Sequence, residues 1–177
     1  QNPFASKPAL AEPKPYAAEL LVARQAAREA ADLVLGVYHT DFVVEHKVED
    51  DPVTVADRNA NSAIVGRLSA RFPSDAILAE ETLTRPSAQE RRGRCWFVDP
   101  LDGTREFVAR LGEFCVMIGL AVGARPVLGV LAFPSPTWPL PTRAGHAPWH
   151  MLWGVVGQGV FLEAADGSTV PLPEPAE

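Results

Sequence analysis

The stretch FCVMIGLAVGARPVLGVLAF, residues 114–133, decides between two folds. Taken as one element, it has about the twenty apolar residues that a membrane-spanning helix requires. Gly123-Ala124-Arg125-Pro126 interrupts it at the centre, and an Arg-Pro with Gly before it is turn chemistry. The flanks are β-branched, so the stretch predicts two buried strands joined by a tight turn.

Upstream, the apolar period changes. Leu20, Ala23, Ala27, Ala31, Val34 and Tyr38 recur every three or four residues, which predicts a long amphipathic helix over Tyr16 to Tyr38. A second helix is predicted from Val55 to Arg71, with Ala56, Ala60, Ala63, Ile64 and Leu68 on one face and Phe72-Pro73 ending it. Phe42-Val43-Val44 reads as a short extended run, Lys47 to Asp51 as a charged loop, and Pro86 to Arg94 as an exposed loop. Ala76 to Ala79 and Cys95 to Val98 read as strands, and Leu152 to Val156 with Gly159 to Leu162 as a hairpin. Thr104 is expected to cap a short helix that Gly112 stops. Helices first and strands later predict an α+β fold, with two N-terminal helices layered on a largely antiparallel sheet. The expected division is a disordered lead-in over 1–15, one domain over 16–165 with a proline-rich loop at 134–150, and a tail or truncated linker over 166–177.

The chain has 177 residues, 47% hydrophobic and 21% charged, which suits a single globular domain. Lys and Arg number 16 against 22 Asp and Glu, a net charge of −6 with no dense basic stripe. That balance argues against a nucleic-acid polymer as partner, and any phosphate bound here needs cations to help. Cys95 and Cys115 are the two cysteines and belong to no disulfide framework or zinc pattern, so both are expected in the core. Neither an export signal nor a membrane segment is read, and the expected location is cytoplasmic.

The residues that carry chemistry stand at element boundaries. In Asp99-Pro100-Leu101-Asp102-Gly103-Thr104, two carboxylates straddle a proline, and the Leu101 carbonyl between them adds a third hard oxygen for a cation. Gly103 and Thr104 open a helix whose first N–H groups favour a phosphate oxygen. A plain D-P-x-D-G turn is the alternative. Glu80-Glu81 ends a predicted strand, where adjacent carboxylates are costly unless solvated or neutralised by a cation. Asp57 stands at a helix start, where complementing the helix dipole is the simpler explanation. Asp57, Glu80, Asp99 and Asp102 together suggest paired divalent ions. His39, His46, His146 and His150 have no metal-ligand spacing, and Trp138, Trp149 and Trp153 are expected to pack under the proline-rich loop.

The combination of PVTVAD at 52–57, AEE at 79–81 and WFVDPLDGT at 96–104 resembles the lithium-sensitive, magnesium-dependent inositol monophosphatase superfamily. Arg105-Glu106-Phe107, Gly112-Glu113-Phe114 and Pro126-Val127-Leu128-Gly129-Val130 are more similar to its 3'(2'),5'-bisphosphate nucleotidase branch. The resemblance implies the N-terminal half of the sugar-phosphatase-like αβαβα fold. It further implies two or three Mg²⁺ ions held by Glu80, Asp99, Asp102 and the Leu101 carbonyl. Thr104 and Asp57 would orient and deprotonate the attacking water, with Glu80 assisting, and the backbone amides of Gly103 and Thr104 would contact the phosphate. Lys47 stands where family members often have a lysine. The implied reaction is hydrolysis of 3'-phosphoadenosine 5'-phosphate to AMP and phosphate. An inositol or histidinol monophosphatase, or a truncated metal- or phosphate-binding remnant, is the alternative. A small phosphate ester is the expected partner, and a homodimer is compatible with the resemblance. Family members continue into a second α/β layer with a Trp-Asp motif, which this sequence lacks, so the chain is expected to correspond to the N-terminal part.

Overall fold

A computed structural model describes residues 14–46, 52–82, 85–134, 150–164 and 166–173. Lys47 and all but the ends of the proline-rich segment lie outside the described residues, as does most of the expected lead-in. The helices are α1 (Ala17–Tyr38), α2 (Val55–Arg71), α3 (Ala88–Arg91) and α4 (Thr104–Val108). A small hairpin pairs β1 (Val44–His46) with β2 (Pro52–Thr54). The main sheet has the spatial order β3 (Ala76–Ala79), β4 (Arg94–Asp102), β5 (Cys115–Val122), β6 (Arg125–Phe133), β7 (His150–Val155), β8 (Gly159–Ala164) and β9 (Thr169–Pro171). Only the β3–β4 pairing is parallel among these neighbours. The α+β layering expected from the sequence is the observed one.

The decisive stretch forms β5 and β6, paired antiparallel with Gly119 opposite Gly129. Gly123 and Ala124 between them both have positive φ, 59° and 61°, which is the hairpin turn whose twist matches the strands. No helix among the described residues is long and apolar enough to cross a membrane.

α1 buries Ala23, Ala26, Ala27, Ala30, Ala31 and Val34, and α2 buries Ala56, Ala60, Ile64 and Leu68. Alanines at helical spacing let the two helices pack closely together and onto the sheet, where Trp96, Val98, Val116, Ile118, Leu120 and Val130 complete the core. The strand alternation leaves Phe97, Met117, Leu131, Leu152 and Val160 less buried than these, and Phe97 is 42% exposed. Glu163 on β8 has no exposed surface, and Arg24 Nε donates to its Oε2 at 2.8 Å while Arg28 bonds its other oxygen. This carboxylate fastens α1 to β8. Arg24 also lies over the ring of Trp153, 5.0 Å from its centroid, and Trp153 stacks on Phe161.

Four local expectations need correction. The Pro86 to Arg94 loop contains one helical turn, α3, because Ser87 and Glu90 form a capping box. The extended run near Phe42 begins only at Val44, and Phe42 instead packs on Phe107 with ring centroids 5.0 Å apart. α4 ends at Val108, since Arg110 already turns left-handed at φ 61° before Gly112 is reached. The segment from 166, expected to be a tail, carries β9, an edge strand whose backbone pairs with Phe161 to Glu163.

Glu163→Gln is expected to lower stability by about 2 kcal/mol, because two charge-assisted hydrogen bonds become neutral ones in a buried position. Chemical denaturation of the two proteins measures the difference.

Candidate active site

The site is built on a defect in β4. Pro100 has no N–H to give the ladder, and the pairing slips there: Asp99 lies opposite Met117 and Asp102 opposite Cys115, three steps on β4 against two on β5. In a regular strand, residues three apart point to opposite faces. The extra residue reverses that parity, so Asp99 and Asp102 both line one cleft of about 340 Å³ with Glu80, Leu101, Gly103 and Thr104. Arg105 and Glu106 of α4 also border it. A larger, mostly apolar hollow of about 720 Å³ opens beside it over the sheet and shares Glu80 and Asp99.

β3 brings Glu80 to the cleft. It lies parallel to β4, Ala79 pairs with Val98, and Glu80 N–H donates to the Val98 carbonyl at 3.1 Å, so Glu80 follows β3 as Asp99 follows Val98. The closeness has an electrostatic cost. Burial first, then the charge of Glu80, a hydrogen bond with it, and the charge of Asp102 push the Asp99 carboxyl from its ordinary 3.8 up to about 7. The Leu101 N–H, 3.2 Å from Asp99 Oδ1, opposes this only in part. The Cys115 thiol, on the far side of Asp102, is pushed up to about 12 by burial and by the two aspartates, which excludes it as a thiolate.

The second half of the site is a buried relay. Thr54 caps α2 and Asp57 is its third residue, a reciprocal capping box. Thr54 N–H and Thr54 Oγ1 both donate to Asp57 Oδ2 at 2.7 Å, and Asp57 is 2% exposed. Its other oxygen, Oδ1, is 3.1 Å from Thr104 Oγ1, which also stands 3.0 Å from the Leu101 carbonyl. Thr104 was expected to cap α4. Gly103 is the residue before the helix instead, and the threonine hydroxyl turns across to α2. Gly103 has φ 86°, and a Cβ there would come within 2.6 Å of the Glu113 carbonyl, so only glycine fits. Phe107, fully buried against Tyr38, Phe42 and Phe114, holds the rest of α4 in place.

The seven residues assigned to the site from the sequence meet here: Glu80, Asp99, Leu101, Asp102, Gly103 and Thr104 line the cleft, and Asp57 stands directly behind Thr104. Thr54 was missed as a member, although its Thr-x-x-Asp spacing to Asp57 was a legible capping signal. Among the described residues, no three His, Cys, Asp or Glu side chains close into a ready-made metal shell. The donors present are hard oxygens, crowded enough to raise the Asp99 carboxyl, so a hard divalent cation fits this set. His150 is buried with Nε2 unpartnered among the described residues and stacks on Phe133, away from these groups.

The family profile of the inositol monophosphatases matches residues 17–174. The chain belongs to the inositol monophosphatase family. The 3'(2'),5'-bisphosphate nucleotidase CysQ of Salmonella typhimurium is 41% identical over 112 residues, which are 62% of this chain and 46% of that protein. A histidinol-phosphatase of Chlorobaculum parvum is 40% identical over 118 residues, 66% of this chain and 44% of that one. Among solved structures, the extragenic suppressor protein SuhB of Bartonella henselae superposes with a TM-score of 0.69 at 28% identity, over 82% of this chain and 52% of that chain. This inositol monophosphatase family member thus spans about half the length of the relatives it matches.

Two outcomes are expected at the cleft. Because the folded-state pKa of Asp99 lies above its ordinary value, the protonated form favours the fold, and that contribution is lost as pH rises through about 7. Without divalent cations, the melting temperature of the wild type relative to Asp99→Asn is therefore expected to fall as pH rises from about 4 to about 7, and thermal scans in a chelator check this. Gly103→Ala is expected to cost about 1–3 kcal/mol from the left-handed φ alone, with the contact against Glu113 adding to it, as measured by denaturant titration.

Proposed function

We propose that this chain carries the metal-binding and water-activating part of a Mg²⁺-dependent phosphoric monoester hydrolase acting on 3'-phosphoadenosine 5'-phosphate. The observation that carries this is the Thr104 to Asp57 hydrogen bond of 3.1 Å, placed against the cleft of Glu80, Asp99 and Asp102.

Thr104 has one hydroxyl proton and two acceptors within reach, Asp57 Oδ1 and the Leu101 carbonyl. When the proton goes to Asp57, the lone pairs of Oγ1 accept a hydrogen from a water in the cleft. Asp57 is pinned by Thr54 on its other oxygen and stays aimed at Thr104 as that water loses its proton. The Gly103 and Thr104 amides, in a first turn without helical acceptors, are the groups we assign to the phosphate oxygens. Glu80, Asp99, Asp102 and the Leu101 carbonyl would hold Mg²⁺, which supplies charge neutralisation and lowers the pKa of a bound water. The attack is in line, without a phosphoenzyme.

The choice of substrate rests on Arg105-Glu106-Phe107, since the nucleotidase and histidinol-phosphatase relatives are almost equally similar. Cys95 and Cys115, both buried and unpaired, suit a reducing cytoplasmic setting. Binding of Mg²⁺ or phosphate without turnover is the second reading, favoured by the chain spanning less than half of the nucleotidase and histidinol-phosphatase relatives.

Release of inorganic phosphate from 3'-phosphoadenosine 5'-phosphate, inositol 1-phosphate and histidinol phosphate, with Mg²⁺ alone and with added Li⁺, separates the readings. Hydrolysis of the first, suppressed by Li⁺ and reduced about 10²-fold or more in Asp57→Asn and Thr104→Ala, is the expected result. Preference for another ester moves the substrate assignment. No turnover while Mg²⁺ still raises the melting temperature defeats the catalytic reading and leaves the binding one.

A further inference from the structure

One turn beyond Asp57 on α2, Asn61 is buried to 8% exposure. Its Nδ2 donates to Thr82 Oγ1 at 3.2 Å, and its Oδ1 is buried with no partner among the described residues. Thr82 closes the acidic turn: its N–H donates to the Ala79 carbonyl at 3.2 Å, which places Glu80 and Glu81 at the two corners. At its start the same turn is tied to β4, through the Glu80 N–H on the Val98 carbonyl. The turn is thus fastened to the strand that carries Asp99 and, through Asn61, to the helix that carries Asp57.

We infer that Asn61 is a positioning residue, which through Thr82 sets the Glu80 carboxylate against Asp57 and Asp99 and thereby raises the affinity of the cleft for a divalent cation. A buried amide paired at one end only is a poor way to stabilise a fold, and apolar side chains of the same shape serve packing as well or better. What the polar pair adds is direction. A hydrogen bond fixes the orientation of the turn, whereas an apolar contact lets it slide, and outer partners of metal ligands act in this way. The inference rests on the metal-cleft reading above.

The test compares wild type, Asn61→Leu/Thr82→Val, Thr82→Ser and Asp99→Asn in Mn²⁺ affinity, melting temperature without metal, and exchange of the Glu81 and Thr82 amides in the metal-free chain. The double variant is expected to bind Mn²⁺ about tenfold more weakly and to exchange those amides faster, with a melting temperature within about 2 °C of wild type. Thr82→Ser, which keeps the hydroxyl, is expected to retain Mn²⁺ affinity within about twofold. If Asp99→Asn weakens Mn²⁺ binding but the double variant does not, the positioning role is overturned and the metal cleft stands. Melting temperature lost in step with affinity overturns it as well, in favour of a structural contact. If the wild type binds no Mn²⁺, or Asp99→Asn binds it unchanged, the cleft reading fails and this inference with it.

Discussion

The missing N–H of Pro100 governs the rest of the site. A strand that cannot complete its ladder at one residue must either end or bulge, and β4 bulges, because β3 and β5 hold it on both sides. The bulge changes side-chain parity once. Before it, Trp96 and Val98 enter the core while Asp99 turns outward; after it, Leu101 enters the core and Asp102 turns outward on the same side. Two carboxylates and a carbonyl oxygen are brought together without a flexible loop between them. Gly103 then lets the backbone pass close to Glu113 and Phe114 before α4 begins.

That placement crowds three acidic side chains into one cleft. Glu80 arrives beside Asp99 from the neighbouring parallel strand, and burial with this crowding pushes the Asp99 carboxyl up to about 7. The acidic excess of the chain argued at first against a phosphate ligand. On the proposed reading, a cation held by these oxygens would supply the positive charge that a phosphate needs and the chain lacks. The buried relay is built on the opposite plan. Asp57 is surrounded by hydroxyl and amide donors from Thr54 and Thr104, so the carboxylate that completes the helix cap is also the one we propose as the partner of Thr104 in the reaction.

Much of the fold was legible because it is local. Alanines every three or four residues make α1 and α2, and the Gly-Ala-Arg-Pro interruption makes a hairpin of an apolar run long enough to span a membrane. Three of the errors share one physical origin, the dependence of an element on its neighbours. β9 is three exposed residues that are strand only because β8 offers them an edge, and Phe42 leaves the extended run because an aromatic cluster around Phe107 takes it. The hydroxyl of Thr104, a sound local cap, is drawn away by Asp57, forty-seven residues earlier in the chain.

The sequence by itself determined the chemistry of the site, since the donor types in PVTVAD, AEE and DPLDGT are hard oxygens and a hydroxyl whatever their arrangement. It also determined the family, through the order and spacing of those motifs. Only the tertiary structure decided which of these groups touch. Asp57 and Thr104 lie on different elements, as do Glu80 and Asp99, and Asn61 reaches Thr82 across from α2. Such pairs are set by strand register, helix packing and one bulge, which are properties of the assembled chain and not of any local stretch of it.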